Sequence, residues 1–290
     1  MFSSRLRVSL VIPVYNEESH VPMCLAAALQ QTDPFYEIIV VDNNSNDKTA
    51  AIVQQFSGVT LLREPRQGVA FARNTGCDAA QGDIIARIDA DTLLPADWTI
   101  QLQRIFANPV TAAVSGRPQF YDIIFSRFGS AVENTLRRRL AYDLRDTLFL
   151  QGANMAMRRT AWHAVRGQLC NEHAIHEDLD LAIHLQQSDY KVIYDEDLVA
   201  GVSGRRIDVG LLSFYQYVRI SPRTYALHQV CNYYRMYPVM AAIIALHLPA
   251  RVLYRARHPA TGKFSLEYLL GIRTAGARID PTAVGVRSQL

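Results

Sequence analysis

Residues 84–91 read Ile84-Ile85-Ala86-Arg87-Ile88-Asp89-Ala90-Asp91, a short run that ends abruptly in two carboxylates. Ile84–Ile88 reads as an apolar strand covered on both faces, as in a parallel sheet. Asp89 and Asp91 stand two residues apart, so in extended geometry both side chains point to one side. The pattern repeats upstream. Val8–Ile12 runs into Pro13-Val14-Tyr15-Asn16-Glu17, Ile38–Val41 runs into Asp42-Asn43-Asn44-Ser45, and Val59–Leu62 forms a third apolar run. Helical patterns lie between these runs. Glu17 and Glu18 read as a first turn ahead of Val21, Leu25 and Leu29, spaced by four. Asp47 reads as the N-cap of a short helix carrying Ile52, Val53 and Phe56, with Gly58 just past its end. A helix follows from about Val69 to Ala80, and Pro95 opens another with Leu102, Ile105 and Phe106 on its buried side. Strands alternating with helices predict a doubly wound, mostly parallel α/β sheet. Ligands of such sheets collect beyond the carboxyl ends of the strands, where this chain keeps its polar chemistry.

The 290 residues are 49% hydrophobic and 9% aromatic, with 30 Lys plus Arg against 27 Asp plus Glu. That composition excludes a mostly disordered or fibrous chain. Cys24, Cys77, Cys170 and Cys231 show no CxxC spacing, which argues against a disulfide scaffold or zinc ribbon and for a reducing compartment. Charge is uneven. Residues 1–200 hold 18 basic and 24 acidic side chains, whereas 201–290 hold 12 basic and 3 acidic, along with ten Phe or Tyr. A basic, aromatic segment of this kind faces something anionic. We divide the chain at about residue 210, into an α/β domain (1–210) and a helical extension (211–290). The apolar stretch Pro238–Ala250 holds thirteen residues with His247 and Pro249 inside. It is expected to lie in a membrane interface without crossing, since crossing takes about 20 residues.

Two hard oxygen donors at Asp89 and Asp91 suit Mg²⁺ or Mn²⁺, which commonly use one or two carboxylates plus substrate phosphates. There is no GxGxxG or GxxxxGK[ST] loop, so a dinucleotide or P-loop site is disfavoured. Glu177-Asp178 precedes a helical pattern (Leu179, Ala182, Ile183), which also makes Asp178 an N-cap candidate.

Six segments stand in order: Val11–Glu18, Val41–Ser45, Arg66–Gly76, Asp89–Asp91, Gly152–Arg159 and Glu177–Asp180. Together they closely resemble the family 2 glycosyltransferases of the GT-A fold, over about residues 6–206. The resemblance implies a Rossmann-like, doubly wound sheet and a metal-dependent, inverting transfer of sugar from a nucleotide-diphosphate sugar to a hydroxyl acceptor. It assigns Asp42 to the base of the donor, with uracil's ring N–H as a fitting partner. Pro13, Tyr15, Glu17 and Asn44 join the nucleoside wall, and Arg73 meets the donor phosphates. Asp91, aided by Asp89, takes the metal, and Asp178 is the general base. Gly152, Asn154 and Glu177 belong to the donor and acceptor sugar region, with Asp180 in support. Arg205 and Arg206 meet the leaving diphosphate, a role suited to Arg's planar fork.

The sequence departs from processive relatives, having no QxxRW motif. A cytoplasmic location is expected, with peripheral attachment to the inner face of the cytoplasmic membrane. That attachment would run through Arg219, Arg223, Arg235, Arg251, Arg255, Arg257 and Lys263, interleaved with tyrosines, and the acceptor could be lipid-linked. Cell-envelope polysaccharide or glycolipid synthesis fits this picture. Two other readings remain at this point: a non-catalytic nucleotide-sugar-binding or membrane-docking protein of the same fold, and a nucleotidyltransferase, which would want a basic Gly-rich loop after the first strand. Nucleic acid is not expected as a partner.

Overall fold

The computed structural model describes residues 5–123, 149–170, 175–230, 233–258 and 263–270. It divides into two units. The first takes Met1–Pro118, Leu148–His173 and Glu177–Ala200; the second takes Gln119–Thr147, Ala174–His176 and Gly201–Leu290. This division differs from a single cut at 210, because two short upstream segments go with the C-terminal part.

The first unit is built on β1 (Val8–Val14), β2 (Glu37–Asp42), β3 (Val59–Arg63), β4 (Ile84–Arg87), β5 (Thr111–Phe120), β6 (Met155–Arg158) and β7 (Lys191–Val202), the last and β5 running into the second unit. Their order in the sheet is β3-β2-β1-β4-β6-β5-β7. The β3-β2-β1-β4 half is parallel, with Val14 beside Asp42 and Val11 beside Arg87. β6 pairs antiparallel with both β4 and β5. Chain order therefore reverses between β1 and β4, and the crevice at such a switch point is where open α/β sheets bind ligands.

β1, β2 and β4 are buried on both faces, which is why they read as near-continuous apolar runs, whereas β3 at the sheet edge is half-buried to exposed. Alternate residues of β1 feed two cores. Val8, Leu10, Ile12 and Val14 pack with Cys24 and Leu25 of α1 (Val21–Leu29) and with Trp98, Leu102 and Phe106 of α4 (Trp98–Phe106). Val11 on the other face packs with Ala72 and Cys77 of α3 (Val69–Ala79), Trp162 of α5 (Arg159–Val165) and Leu181 of α6 (Glu177–Gln187). Gly76 allows that approach: a Cβ there would overlap Val11 Cγ1 and press on Val41 Cγ2.

Several boundaries move. α1 begins at Val21, so Glu17 and Glu18 lie before it, and Ala28 replaces Leu29 on the buried face. Side chains thirty residues away take the amides that a helix would use: Glu17 N donates to Thr49 Oγ1 at 2.7 Å and Glu18 N to Asp47 Oδ2 at 3.1 Å. α2 (Thr49–Val53) has Lys48 at its N-cap, with Asp47 accepting from Thr49 N one residue earlier. α4 starts at Trp98, three residues after Pro95, whose carbonyl accepts from Trp98 N.

The second unit contains α7 (Leu211–Val218), α8 (Ile220–Leu227), α9 (Met236–Arg255) and the short α10 (Leu266–Leu269). α9 runs straight through His247 and Pro249. With the turn before it, Tyr233–Arg255 is 23 residues long and contains an 18-residue stretch of mean hydropathy 1.5, long and apolar enough by length and composition to cross a membrane. Neither residue ends the helix, so the helical segment is longer than the thirteen apolar residues of the expectation.

Candidate active site

Loops after β1 and β2 lock to each other. Asn16, at φ 55°, donates its backbone N–H to Ser45 Oγ at 3.0 Å and accepts from Asn46 N at 2.9 Å. Lys48 N donates to Glu18 Oε2 at 3.0 Å. Asp42 is buried at the end of β2, and its Oδ1 accepts from Ser45 N at 3.3 Å. Tyr15 is exposed beside this frame, while Pro13 and Glu17 are half-buried.

Asn43 is the residue that sequence reasoning passes over here. Its amide donates to Glu64 O (2.9 Å) and Arg66 O (2.7 Å), and its Oδ1 accepts from Gly68 N (2.7 Å). It thereby pins the whole segment between β3 and α3. Asn44, at φ 65°, adds a bond to Pro65 O at 2.8 Å. This is a positioning contact within the protein, beside the nucleoside role expected of Asn44.

The larger surprise is Arg87. A run read as apolar carries a guanidinium only 3% exposed, which bridges Asp89 Oδ1 and Glu177 Oε1, each at 3.0 Å. Burial alone would lower its pKa, but the charges of Asp89, Glu177 and Asp178 outweigh that and raise it. Gly152 makes room for it, since a Cβ at 152 would overlap Arg87 Nη1 and Cζ. Gly152 N also donates to Asp178 Oδ2 at 3.0 Å, and Asp178 Oδ1 accepts from Leu179 N at 2.9 Å. Asp89, Gly152, Glu177 and Asp178 are thus gathered around one buried cation. Asp178 lies inside the first turn of α6, among Glu177 and Asp180, so it is not the N-cap; carboxylates are favoured there by the helix dipole.

One guanidinium faces three carboxylates, and Asp91 follows two residues after Asp89. Burial of Cys24 pushes its thiol up, and the charges of Asp91 and Asp89 push it further, so both carboxylates project negative potential into the same region. Asp89 remains 41% exposed. Hard oxygen donors, excess negative charge and access from solvent fit a divalent cation.

Two expected site residues, Arg73 and Asn154, are placed otherwise. Arg73 is fully buried: it donates to Asn74 Oδ1 and to the carbonyl of Glu177, with its guanidinium 5.7 Å from the centre of the Trp162 ring. It has no surface to offer donor phosphates and instead anchors the start of α6. Asn154, expected in the sugar region, is also fully buried. It accepts from Trp98 Nε1 at 3.0 Å and donates to Leu198 O at 2.8 Å, a tie across the core. Arg205 and Arg206 lie in the second unit. The Ser203-Gly204 turn before them is held by buried Asp122 through two 2.6 Å bonds, and Arg206 stacks over Tyr217 at 4.1 Å.

Residues 9–165 match the family described as glycosyl transferase family 2. The chain belongs to that family. The chain is 42% identical over 98 residues to glycosyltransferase AglE of Haloferax volcanii, covering 31% of this chain and 32% of the relative. It is 30% identical over 144 residues to the undecaprenyl-phosphate 4-deoxy-4-formamido-L-arabinose transferase of Photorhabdus laumondii, covering 47% of this chain and 44% of the relative. It therefore spans less than half the length of these curated relatives. Among solved structures it resembles a mannosyltransferase of Pyrobaculum calidifontis in complex with GDP-Man and Mn²⁺, with a TM-score of 0.63 at 21% identity, over 93% of this chain and 79% of that one. TarS of S. aureus in complex with UDP-GlcNAc gives a TM-score of 0.54 at 15% identity, over 76% and 65%. These likenesses support the expected GT-A-type fold.

Proposed function

We propose that this chain transfers a sugar from a nucleotide-diphosphate sugar to a hydroxyl or phosphate-bearing acceptor, with inversion at the anomeric carbon and a divalent cation on the donor. The observation that carries the reading is the cluster around Arg87, which gathers the Asp89 end of β4 and the Glu177-Asp178 start of α6 in one unit. Asp42 receives the nucleobase, with Tyr15 as an exposed ring beside it. Asp89 and Asp91 would hold Mg²⁺ or Mn²⁺, whose Lewis acidity stabilises the departing diphosphate when bound. Asp178 takes the proton of a hydroxyl acceptor, whereas an acceptor phosphate is already ionised and needs no base; two backbone hydrogen bonds fix the carboxylate's orientation. We favour a UDP-sugar because a carboxylate at position 42 suits uracil's ring N–H, and guanine's N1–H makes a GDP-sugar the second candidate.

The acceptor we propose is lipid-linked, met at an anionic membrane surface. Support comes from exposed apolar side chains of the second unit, including Leu212, Tyr234, Tyr237, Leu246 and Leu248, beside exposed Arg219, Arg223, Arg235 and Lys263. Basic residues near such a surface contribute about 1 kcal/mol each. The set is smaller than the sequence implies: Arg257 is buried, Arg251 and Arg255 pair with Asp208, and Tyr225 and Tyr254 are core residues. Residues 271–290 of the extension lie outside the described residues.

The test is transfer of labelled sugar from UDP- and GDP-sugars to a polyprenyl phosphate in anionic liposomes with Mn²⁺. Label entering the lipid fraction supports the whole reading, and label entering only a soluble acceptor removes the lipid part. No transfer from any donor contradicts the enzyme reading.

A further inference from the structure

We propose a second metal site, distinct from the Asp89-Asp91 end of β4: a zinc ion held by Cys170, Asp180 and His184. All three belong to the first unit. Asp180 and His184 stand one turn apart on α6, and Cys170 reaches them from the segment after α5. A sulfur, a carboxylate oxygen and a ring nitrogen from these three lie within 4.8 Å of one another. Cys170 is a reduced thiol.

The geometry within the set points to coordination. Asp180 is fully buried, and its two oxygens are directed differently. Oδ2 accepts from the Cys170 backbone N–H at 3.1 Å, the kind of bond that orients a ligating carboxylate. Oδ1 sits 3.5 Å from His184 Nε2. That is longer than the usual 2.7–3.2 Å of an N–H···O hydrogen bond. It is close to the separation of about 3.3 Å between two ligand atoms that each lie roughly 2.0–2.1 Å from one tetrahedral zinc. The His184 side chain is only 12% exposed, so the set is nearly shut off from water.

The donor types choose the ion. Thiolate and imidazole suit zinc, whereas Mg²⁺ and Mn²⁺ prefer carboxylates, carbonyls and water. Three protein ligands leave a fourth position for water or a further donor. Such an ion would tie Cys170 to α6, the helix whose first turn carries Glu177 and Asp178. The proposal stands independently of the transfer reaction, because metal binding is measured without any donor or acceptor.

The experiment uses the purified full chain. Bound zinc is measured by mass spectrometry after reconstitution with ZnCl₂ and gel filtration, and apo protein is separately titrated with CoCl₂. A near-ultraviolet thiolate-to-cobalt band reports Cys170 ligation, which the oxygen ligands at Asp89 and Asp91 cannot produce. The expected result is about one zinc per chain. C170S should lose the cobalt band, and zinc affinity should fall about tenfold or more in both C170S and H184Q. D91A should retain the zinc and the band. Wild-type protein that holds no stoichiometric zinc and shows no band overturns the proposal, and this arm needs no variant to fold. A band that persists in folded C170S overturns it equally.

Discussion

Replacing Arg87 with methionine should unbalance the site in a way that a second substitution partly repairs. Arg87 is 3% exposed and Glu177 12% exposed, so R87M strands a nearly buried carboxylate. Removing one partner of a buried pair costs about 3–5 kcal/mol. Loss of Asp89's bridge adds at most about 1 kcal/mol, because that carboxylate is 41% exposed and screened by water. The total is a large part of a stability of about 5–15 kcal/mol, yet leaves most such folds standing. E177Q removes the stranded charge, and buried pairs replaced as a unit come close to neutral. The R87M/E177Q double variant should therefore be about 2 kcal/mol more stable than R87M alone. Urea unfolding of wild type, both single variants and the double variant measures this, provided the slopes with denaturant agree. R87M within about 0.5 kcal/mol of wild type would refute the argument, as would further destabilisation when E177Q is added to it.

Asp178→Asn should lower kcat by about 10²–10⁴ while donor affinity survives; lost donor affinity with unchanged kcat would contradict the base role. Asn154→Ala strips partners from the buried Trp98 N–H and Leu198 carbonyl, at about 1–3 kcal/mol for each group, so Tm should drop while donor affinity of the folded protein holds. A selective loss of donor affinity would return Asn154 to the sugar site. Arg66's hydrogen bonds, helped by Thr75, pull Glu64 down from 4.5 to about 2. Its contribution to stability is present above the unfolded value and is lost as pH falls through the folded one, so the gap between wild type and E64Q should narrow steadily from about pH 5 to pH 2. A gap that widens on acidification contradicts this.

The strand ends were legible because each combines an apolar run with polar residues at its carboxyl end, and a parallel sheet buries both faces of such runs. Asp42, Asp89 and Asp91 follow from that placement, whereas Asp178 came from the likeness of Glu177-Asp178 to the family's acidic pair. Arg87 was also readable: a charge inside a strand covered on both faces must be paired, and Asp89 stands two residues away. Arg73 falls on the buried stripe of α3 with Ala72, Gly76 and Cys77, so helical period alone removes it from solvent. Asn154 was not readable, since its partners Trp98 and Leu198 lie about fifty residues to either side. The start of α1 failed for a similar reason, because distant side chains on the β2–α2 loop satisfy the amides of Glu17 and Glu18. Pro249 misled in the other direction. A proline inside a helix removes one backbone hydrogen bond, and the helix of α9 continues for six residues beyond Pro249.

Calorimetric binding of UDP- and GDP-sugars, in Mn²⁺ and in EDTA, to wild type and Asp91→Ala tests the central claim most directly. The account predicts one nucleotide sugar that binds wild type in Mn²⁺ and weakens by about tenfold or more, or 1.4 kcal/mol, both in EDTA and in the folded variant. Equal affinity with and without the metal, unchanged by loss of Asp91, would contradict it.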